Sequence, residues 1–298
     1  TTADQQGIPP QFSTVSLGGL VTNIFKFAGG AAIGNTMYFA PFNAHMIGVF
    51  DTTADEGKGV FSTISLNGEV SGWQKFYGAA ALGSKVYFAP YHANVVGVLD
   101  TAPPTGGPAQ FSTISLDASL QGIYMFSGAV VVGKKIVFVP CCADVIGILD
   151  TAVNDGSAGV MSTVSLQDKV SGDFKFSGAA VVGSKVYFAP YNADVVGVCD
   201  VAANGGQGEF DTISLEGKVL GRYKFSGAAV VGDKVYFAPR NASMVGVVDT
   251  EANQGAGAFH VLSMEDKVDG DYLFRGAAVV RNKVYFAPYH ADCIGVIE

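Results

Sequence analysis

Residues 175–200 read Lys175-Phe176-Ser177-Gly178-Ala179-Ala180-Val181-Val182-Gly183-Ser184-Lys185-Val186-Tyr187-Phe188-Ala189-Pro190-Tyr191-Asn192-Ala193-Asp194-Val195-Val196-Gly197-Val198-Cys199-Asp200. Val186 and Phe188 share one face of their run, and Val195, Gly197 and Cys199 share a face opposite Val196 and Val198. That alternation has the period of β-strands, not of helices. Gly183-Ser184 is a tight-turn pair between two such runs. The pattern predicts strands over 176–182, 185–189 and 195–199, followed by a fourth over 210–214.

The same series recurs along the whole chain. A tag related to Phe-Ser-Thr-Ile-Ser-Leu begins at Phe12, Phe61, Phe111, Met161, Phe210 and Phe259, in steps of 49, 50, 50, 49 and 49 residues. Some positions never vary among the six copies: Phe27, Phe76, Phe126, Phe176, Phe225 and Phe274, the prolines Pro41 to Pro288, and the alanines Ala44 to Ala291. Six copies of 49–51 residues fill residues 1–298 and leave no room for a second domain. Four short strands in about 50 residues make one propeller blade. The expected fold is therefore an all-β, six-bladed β-propeller with four antiparallel strands per blade. Thr1-Thr2-Ala3-Asp4 matches Thr52-Thr53-Ala54-Asp55, and the last copy stops at Val296-Ile297-Glu298. The N-terminal strand near 12–17 is thus expected to complete the last blade beside 293–297 and close the ring, which removes two exposed sheet edges.

The stretch 185–200 resembles the YVTN-type propeller repeat: a Tyr-containing strand, an Asn-containing link, and a strand ending in Asp. The half-repeat 176–183 and the period near 50 are similar to kelch repeats, with Ala-Pro standing where kelch has paired glycines. The resemblance implies a propeller. Such folds host binding modules, lactonase- or hydrolase-like enzymes and self-assembling surface proteins.

Composition narrows the field. Of 298 residues, 49% are hydrophobic and 15% charged, which suits a packed core and excludes a disordered chain. A net charge of -8 offers no footprint for nucleic acid. Mean hydropathy is +0.32. The longest stretch free of Asp, Glu, Lys and Arg, 27–50, is nevertheless broken by Gly29, Gly30, Gly34, Asn35, Pro41, Asn43 and Gly48, so no membrane span is expected. Cys141, Cys142, Cys199 and Cys293 have no zinc spacing. Thr1 in place of Met favours a processed secreted or organellar chain.

The candidate site is one mouth of the central channel, where the links between second and third strands meet. These links carry Phe42-Asn43, Tyr91-His92, Cys141-Cys142, Tyr191-Asn192, Arg240-Asn241 and Tyr289-His290, followed two positions later by His45, Asn94, Asp144, Asp194, Ser243 and Asp292. Variable tips on a fixed frame are what a binding surface looks like. The ligand-contacting set is expected to be Asn43, Tyr91, His92, Tyr191, Asn192, Asp194, Arg240, Asn241, Tyr289, His290 and Asp292, although an Asn in such a link also makes local turn bonds. Rings beside amides and carboxylates suit a glycan or a protein loop. Lys26, Lys75, Lys175 and Lys224 form a second ring, read either as an anion attractor or as solvated strand starts. Arg240 and Arg275 break the repeat at their positions. No G-x-S-x-G, H-E-x-x-H or phosphate-binding loop is present. The expected function is non-catalytic binding, without cofactor or resident metal. The alternatives are a hydrolase-like propeller using His92, His290 and mouth carboxylates, and a self-assembling protein.

Overall fold

The computed structural model describes residues 14–298 apart from 105, 118–119, 121, 153–158 and 265–266. Each repeat forms one antiparallel sheet. The first holds β1 (Phe27–Ile33), β2 (Thr36–Pro41), β3 (Met46–Asp51) and β4 (Val60–Ser65). The second holds β5 (Phe76–Leu82), β6 (Lys85–Pro90), β7 (Val95–Asp100) and β8 (Gln110–Ser115). In the third are β9 (Phe126–Val132), β10 (Lys135–Pro140), β11 (Val145–Asp150) and β12 (Val160–Ser165). The fourth comprises β13 (Phe176–Val182), β14 (Lys185–Pro190), β15 (Val195–Asp200) and β16 (Glu209–Ser214). β17 (Phe225–Val231), β18 (Lys234–Pro239), β19 (Met244–Asp249) and β20 (Ala258–Ser263) make the fifth, and β21 (Phe274–Val280), β22 (Lys283–Pro288) and β23 (Gly295–Ile297) the sixth. Strands follow one another in simple up-and-down order within every sheet.

The inner strands β1, β5, β9, β13, β17 and β21 lie side by side in sequence order. Five apolar clusters weld successive sheets together. Between the fourth and fifth sheets, for example, Tyr187, Val196 and Ile213 of one meet Phe225, Phe237 and Phe259 of the next. The unvarying Phe is the centre of each interface: Phe76, Phe126, Phe176 and Phe225 are fully buried. Opposite it, Gly97, Gly197 and Gly246 leave the space that its ring fills.

A bulge recurs in every inner strand. Phe176 pairs with Pro190 and Ala179 with Phe188, so two residues oppose one, and the other five sheets repeat this shift. The bulge carries a glycine of positive φ, such as Gly178 at 89° and Gly227 at 104°. A Cβ on Gly227 would stand 2.6 Å from the Cα of Gly276 in the next sheet. Glycine therefore sets how closely neighbouring inner strands approach.

The seam between the last and first sheets differs from the other five. β21 and β1 do not pack as the other inner strands do. Val279, Val280, Ile294 and Val296 are exposed on the sixth sheet. The sixth sheet has three strands, and the expected N-terminal outer strand is not paired to it: residues 14–17 form no ladder, while 12–13 lie outside the described residues. Val15 and Leu17 instead line an open cleft on the first sheet with Phe27, Phe39, Phe50 and Phe61. No helix among the described residues is long and apolar enough to cross a membrane.

Candidate functional site

The links between second and third strands are built by bonds from the following sheet. Lys75, Met125, Lys175, Lys224 and Leu273 each donate a backbone N–H, at 2.7–2.9 Å, to the first link residue of the preceding sheet: Phe42, Tyr91, Cys141, Tyr191 and Arg240. The second link residue completes the joint. The Oδ1 atoms of Asn43, Asn192 and Asn241 accept the N–H of Gln74, Tyr223 and Tyr272 at 2.9, 3.1 and 2.9 Å. Cys142 takes the same place with its Sγ, 3.5 Å from the Phe174 nitrogen. These amides are committed to holding one blade to the next.

Three of the four ring lysines are neither solvated nor free anion attractors, while Lys26 at the seam is half-buried. Lys75, Lys175 and Lys224 are each about 1% exposed. Lys175 Nζ donates to the Cys142 and Ala143 carbonyls at 3.0 and 3.2 Å and pairs with Asp144 at 2.8 Å. Lys224 Nζ repeats the arrangement on Asn192, Ala193 and Asp194, the last at 2.9 Å. Each lysine thus clamps the loop of the sheet before it. Lys75 faces a copy with His45 in the acidic position. Among the described residues its Nζ reaches only the Gly72 carbonyl, at 3.0 Å, and burial pushes its pKa down to about 8. With 10.5 as its ordinary value, the unfolded chain holds this proton between about pH 8 and 10.5 while the folded chain sheds it. Stability should therefore rise with pH across that window. A Lys75→Met variant is expected to melt a few degrees higher than the parent at pH 7 and to lose that rise, which thermal unfolding between pH 7 and 10 would check.

Around the mouth runs an aromatic girdle. On one side Phe42, Tyr77, Tyr91, His92, Tyr124 and Phe174 touch in series, with centroids 4.5–5.9 Å apart. On the other, Tyr191, Tyr223, Tyr272, His290 and Tyr289 are joined at 4.9–6.4 Å. His92 and His290 lie flat on their own neighbours, Tyr91 and Tyr289, at interplanar angles of 12° and 7°. Burial pushes the Tyr91 and Tyr191 phenols up, and Arg240 draws Tyr191 partly back. Two arginines lie on the rings, and one of them, Arg275, joins the halves. The Arg240 guanidinium lies 5.4, 4.9 and 5.2 Å from the rings of Tyr191, Tyr272 and Tyr289. Arg275 lies 5.5 Å from Tyr77 and 5.7 Å from Tyr289.

Of the expected residues, the structure brings Tyr91, His92, Tyr191, Arg240, Tyr289 and His290 into this girdle. Asn43, Asn192 and Asn241 are joints between sheets, Asp194 pairs with Lys224, and Asp292 is exposed without a partner among the described residues. Sequence reasoning passed over a third ring, Phe25, Gln74, Tyr124, Phe174, Tyr223 and Tyr272, all held at φ of 48–58°. The repeat spacing marks these positions as clearly as it marks the links. Left-handed backbone at six aromatic or amide residues stores about 1–2 kcal/mol apiece and is typical of functional surfaces.

Burial lowers the His92 pKa, and its Nε2 is enclosed without a partner. Burial raises the thiols of Cys141 and Cys142, so neither is a ready thiolate. No three His, Cys, Asp or Glu converge among the described residues.

No family model matches the chain, and no curated protein does. Solved structures do. A protein from Lactobacillus plantarum aligns at TM-score 0.60 and 14% identity, over 91% of this chain and 79% of that one. A catalytically inactive virginiamycin B lyase from Staphylococcus aureus with Quinupristin aligns at 0.56 and 14%, over 93% and 84%. A 6-phosphogluconolactonase-like protein from Bacteroides uniformis aligns at 0.57 and 12%, over 90% and 73%. At these identities the likeness concerns fold alone. Together with the antiparallel sheets it makes the chain a β-propeller of six sheets.

Proposed function

We propose that this chain is a non-catalytic binding propeller that takes a glycan or a protein loop at the aromatic mouth. The observation that carries the reading is the girdle itself: eleven rings and two guanidiniums gathered at one end of the sheets, on a frame held by bonds between neighbouring sheets. Aromatic faces with few polar groups suit the C–H face of a sugar or an apolar loop. Similarity to lyase- and lactonase-like propellers raises a hydrolytic alternative. The enclosed imidazole of His92 and the Lys224-bound Asp194 count against it. A glycan array tests the main reading. Tyr91→Ala, Tyr191→Ala and Tyr289→Ala are each expected to weaken binding about tenfold or more, as loss of a buried aromatic contact does. Absence of binding, or binding indifferent to all three, refutes the glycan reading.

The mouth needs a continuous ring, and we infer that the seam closes within the chain. Three observations support this. Val15 and Leu17 are the repeat equivalents of Ile213 and Leu215, which pack on the fifth sheet. They meet Phe27, Phe39, Phe50 and Phe61, the equivalents of Phe225, Phe237, Val248 and Phe259. Val15 and Leu17 thus lie against the first sheet as the outer strand of a preceding blade would. Lastly, Lys26 and Asp292 occupy the positions of the Lys224–Asp194 clamp, and neither has a partner among the described residues.

A further inference from the structure

Arg240 and Arg275 are unlike every other cation at this mouth. Arg240 stands where the other copies have Phe42, Tyr91, Cys141, Tyr191 and Tyr289, and Arg275 where they have Ala28, Tyr77, Ser127, Ser177 and Ser226. Two separate departures from the repeat, in adjacent sheets, place their guanidiniums over the same ring, Tyr289, at 5.2 and 5.7 Å. Lys175 and Lys224 have carboxylates; among the described residues neither arginine makes an ion pair. The buried Arg240 Nε has no acceptor among the described residues. Aromatic faces stabilise a guanidinium by about 0.5–2 kcal/mol, but they do not use its N–H donors. Two like charges sharing one half-exposed ring repel, and an unpaired buried donor is costly. An oxyanion between them removes both penalties, because the planar N–H fork matches a carboxylate or sulfate. The site is open to such a ligand: Arg275 is exposed and Tyr289 is 49% exposed. In a chain of net charge -8, this is a local positive spot set in aromatic walls.

We propose that Arg240 and Arg275 form an oxyanion subsite and that the preferred ligand is an acidic glycan, its carboxylate or sulfate held by the two guanidiniums and its ring lying on Tyr289. This rests on the reading of the mouth as a glycan site and adds the charge class.

Titration calorimetry on the whole chain separates the two ideas. The probes are oligogalacturonate for the carboxylate, a κ-carrageenan oligosaccharide for the sulfate, and neutral galacto-oligosaccharide. At least one acidic probe is expected to bind about tenfold or more tighter than the neutral one. Arg240→Gln and Arg275→Gln should each erase that preference, with unfolding midpoints near the parent's as the control for folding. Equal binding of all three probes, abolished by Tyr289→Ala, would leave the glycan reading standing and overturn the oxyanion subsite. If no sugar binds, the glycan reading falls with the acidic-glycan ligand. The arginine pair is then judged by inorganic sulfate: thermal stabilisation lost in both Gln variants upholds it, and no stabilisation overturns it.

Discussion

Gly227→Ala is expected to destabilise the protein by about 2–5 kcal/mol, the sum of a disallowed backbone conformation and an overpacked contact. In a domain of this size that lowers the melting temperature by about 3–8 °C. The cause is local. Gly227 sits in the inner-strand bulge at φ 104°, and a methyl group there would lie 2.6 Å from the Gly276 Cα and 3.1 Å from its N and C atoms. Those are backbone atoms of a neighbouring inner strand, so relief requires two sheets to move apart around the axis. Gly183→Ala is the control. It has φ 59° and nothing within 4 Å of the added carbon, so only about 1–2 kcal/mol of backbone strain is expected. Thermal unfolding of both variants separates close approach from simple loss of flexibility. Gly276→Ala adds a second comparison. Its added carbon would meet nothing within 4 Å across the open seam. In a closed ring its neighbour would be Gly29, and it should then behave like Gly227→Ala and not like the control.

The contrast between these glycines shows what could be read from residues and what could not. The strands of the fourth copy, expected over 176–182, 185–189, 195–199 and 210–214, are found within a residue of those limits, because alternation and turn chemistry are local signals. The links were legible for the same reason. The role of the buried lysines was not, since it depends on which loop of the preceding sheet overlies a strand start. A trace of it stands in the sequence. Lys175 and Lys224 follow copies bearing Asp144 and Asp194, whereas the uncharged Met125 and Leu273 follow Asn94 and Ser243. Except at Lys75, which follows His45, the charge at one position tracks the charge of the copy before it, which is the mark of a contact between repeats. The ring from Phe25 to Tyr272 was hidden for another reason. Aromatic residues seldom adopt positive φ, so nothing in their identity announces that the backbone turns there and presents them to the mouth.

The same repeat logic gives the strongest test of closure. In the fourth sheet Val195 pairs with Ser214. Carried to the seam, that register sets Cys293 opposite Ser16, and Cys293 is an exposed free thiol. Paired strand residues have Cα separations near 4.5–5.5 Å, within the range a disulfide spans. Mild oxidation of a Ser16→Cys variant should therefore yield an internally cross-linked monomer, migrating faster than the parent without reductant. Tying the ends over so long a loop should stabilise the ring by up to about 5 kcal/mol, reversed by reductant. An accompanying charge cycle reads the clamp: Lys26→Asp and Asp292→Lys are each expected to lower the melting temperature, and the double reversal to recover most of the loss. A disulfide-linked dimer, with light scattering showing association, would mean that the two exposed faces meet between chains and favour the self-assembling alternative. A monomer in which neither cysteine is protected from alkylation would mean that the sixth sheet stays three-stranded, and the mouth would then be a cleft open at one side.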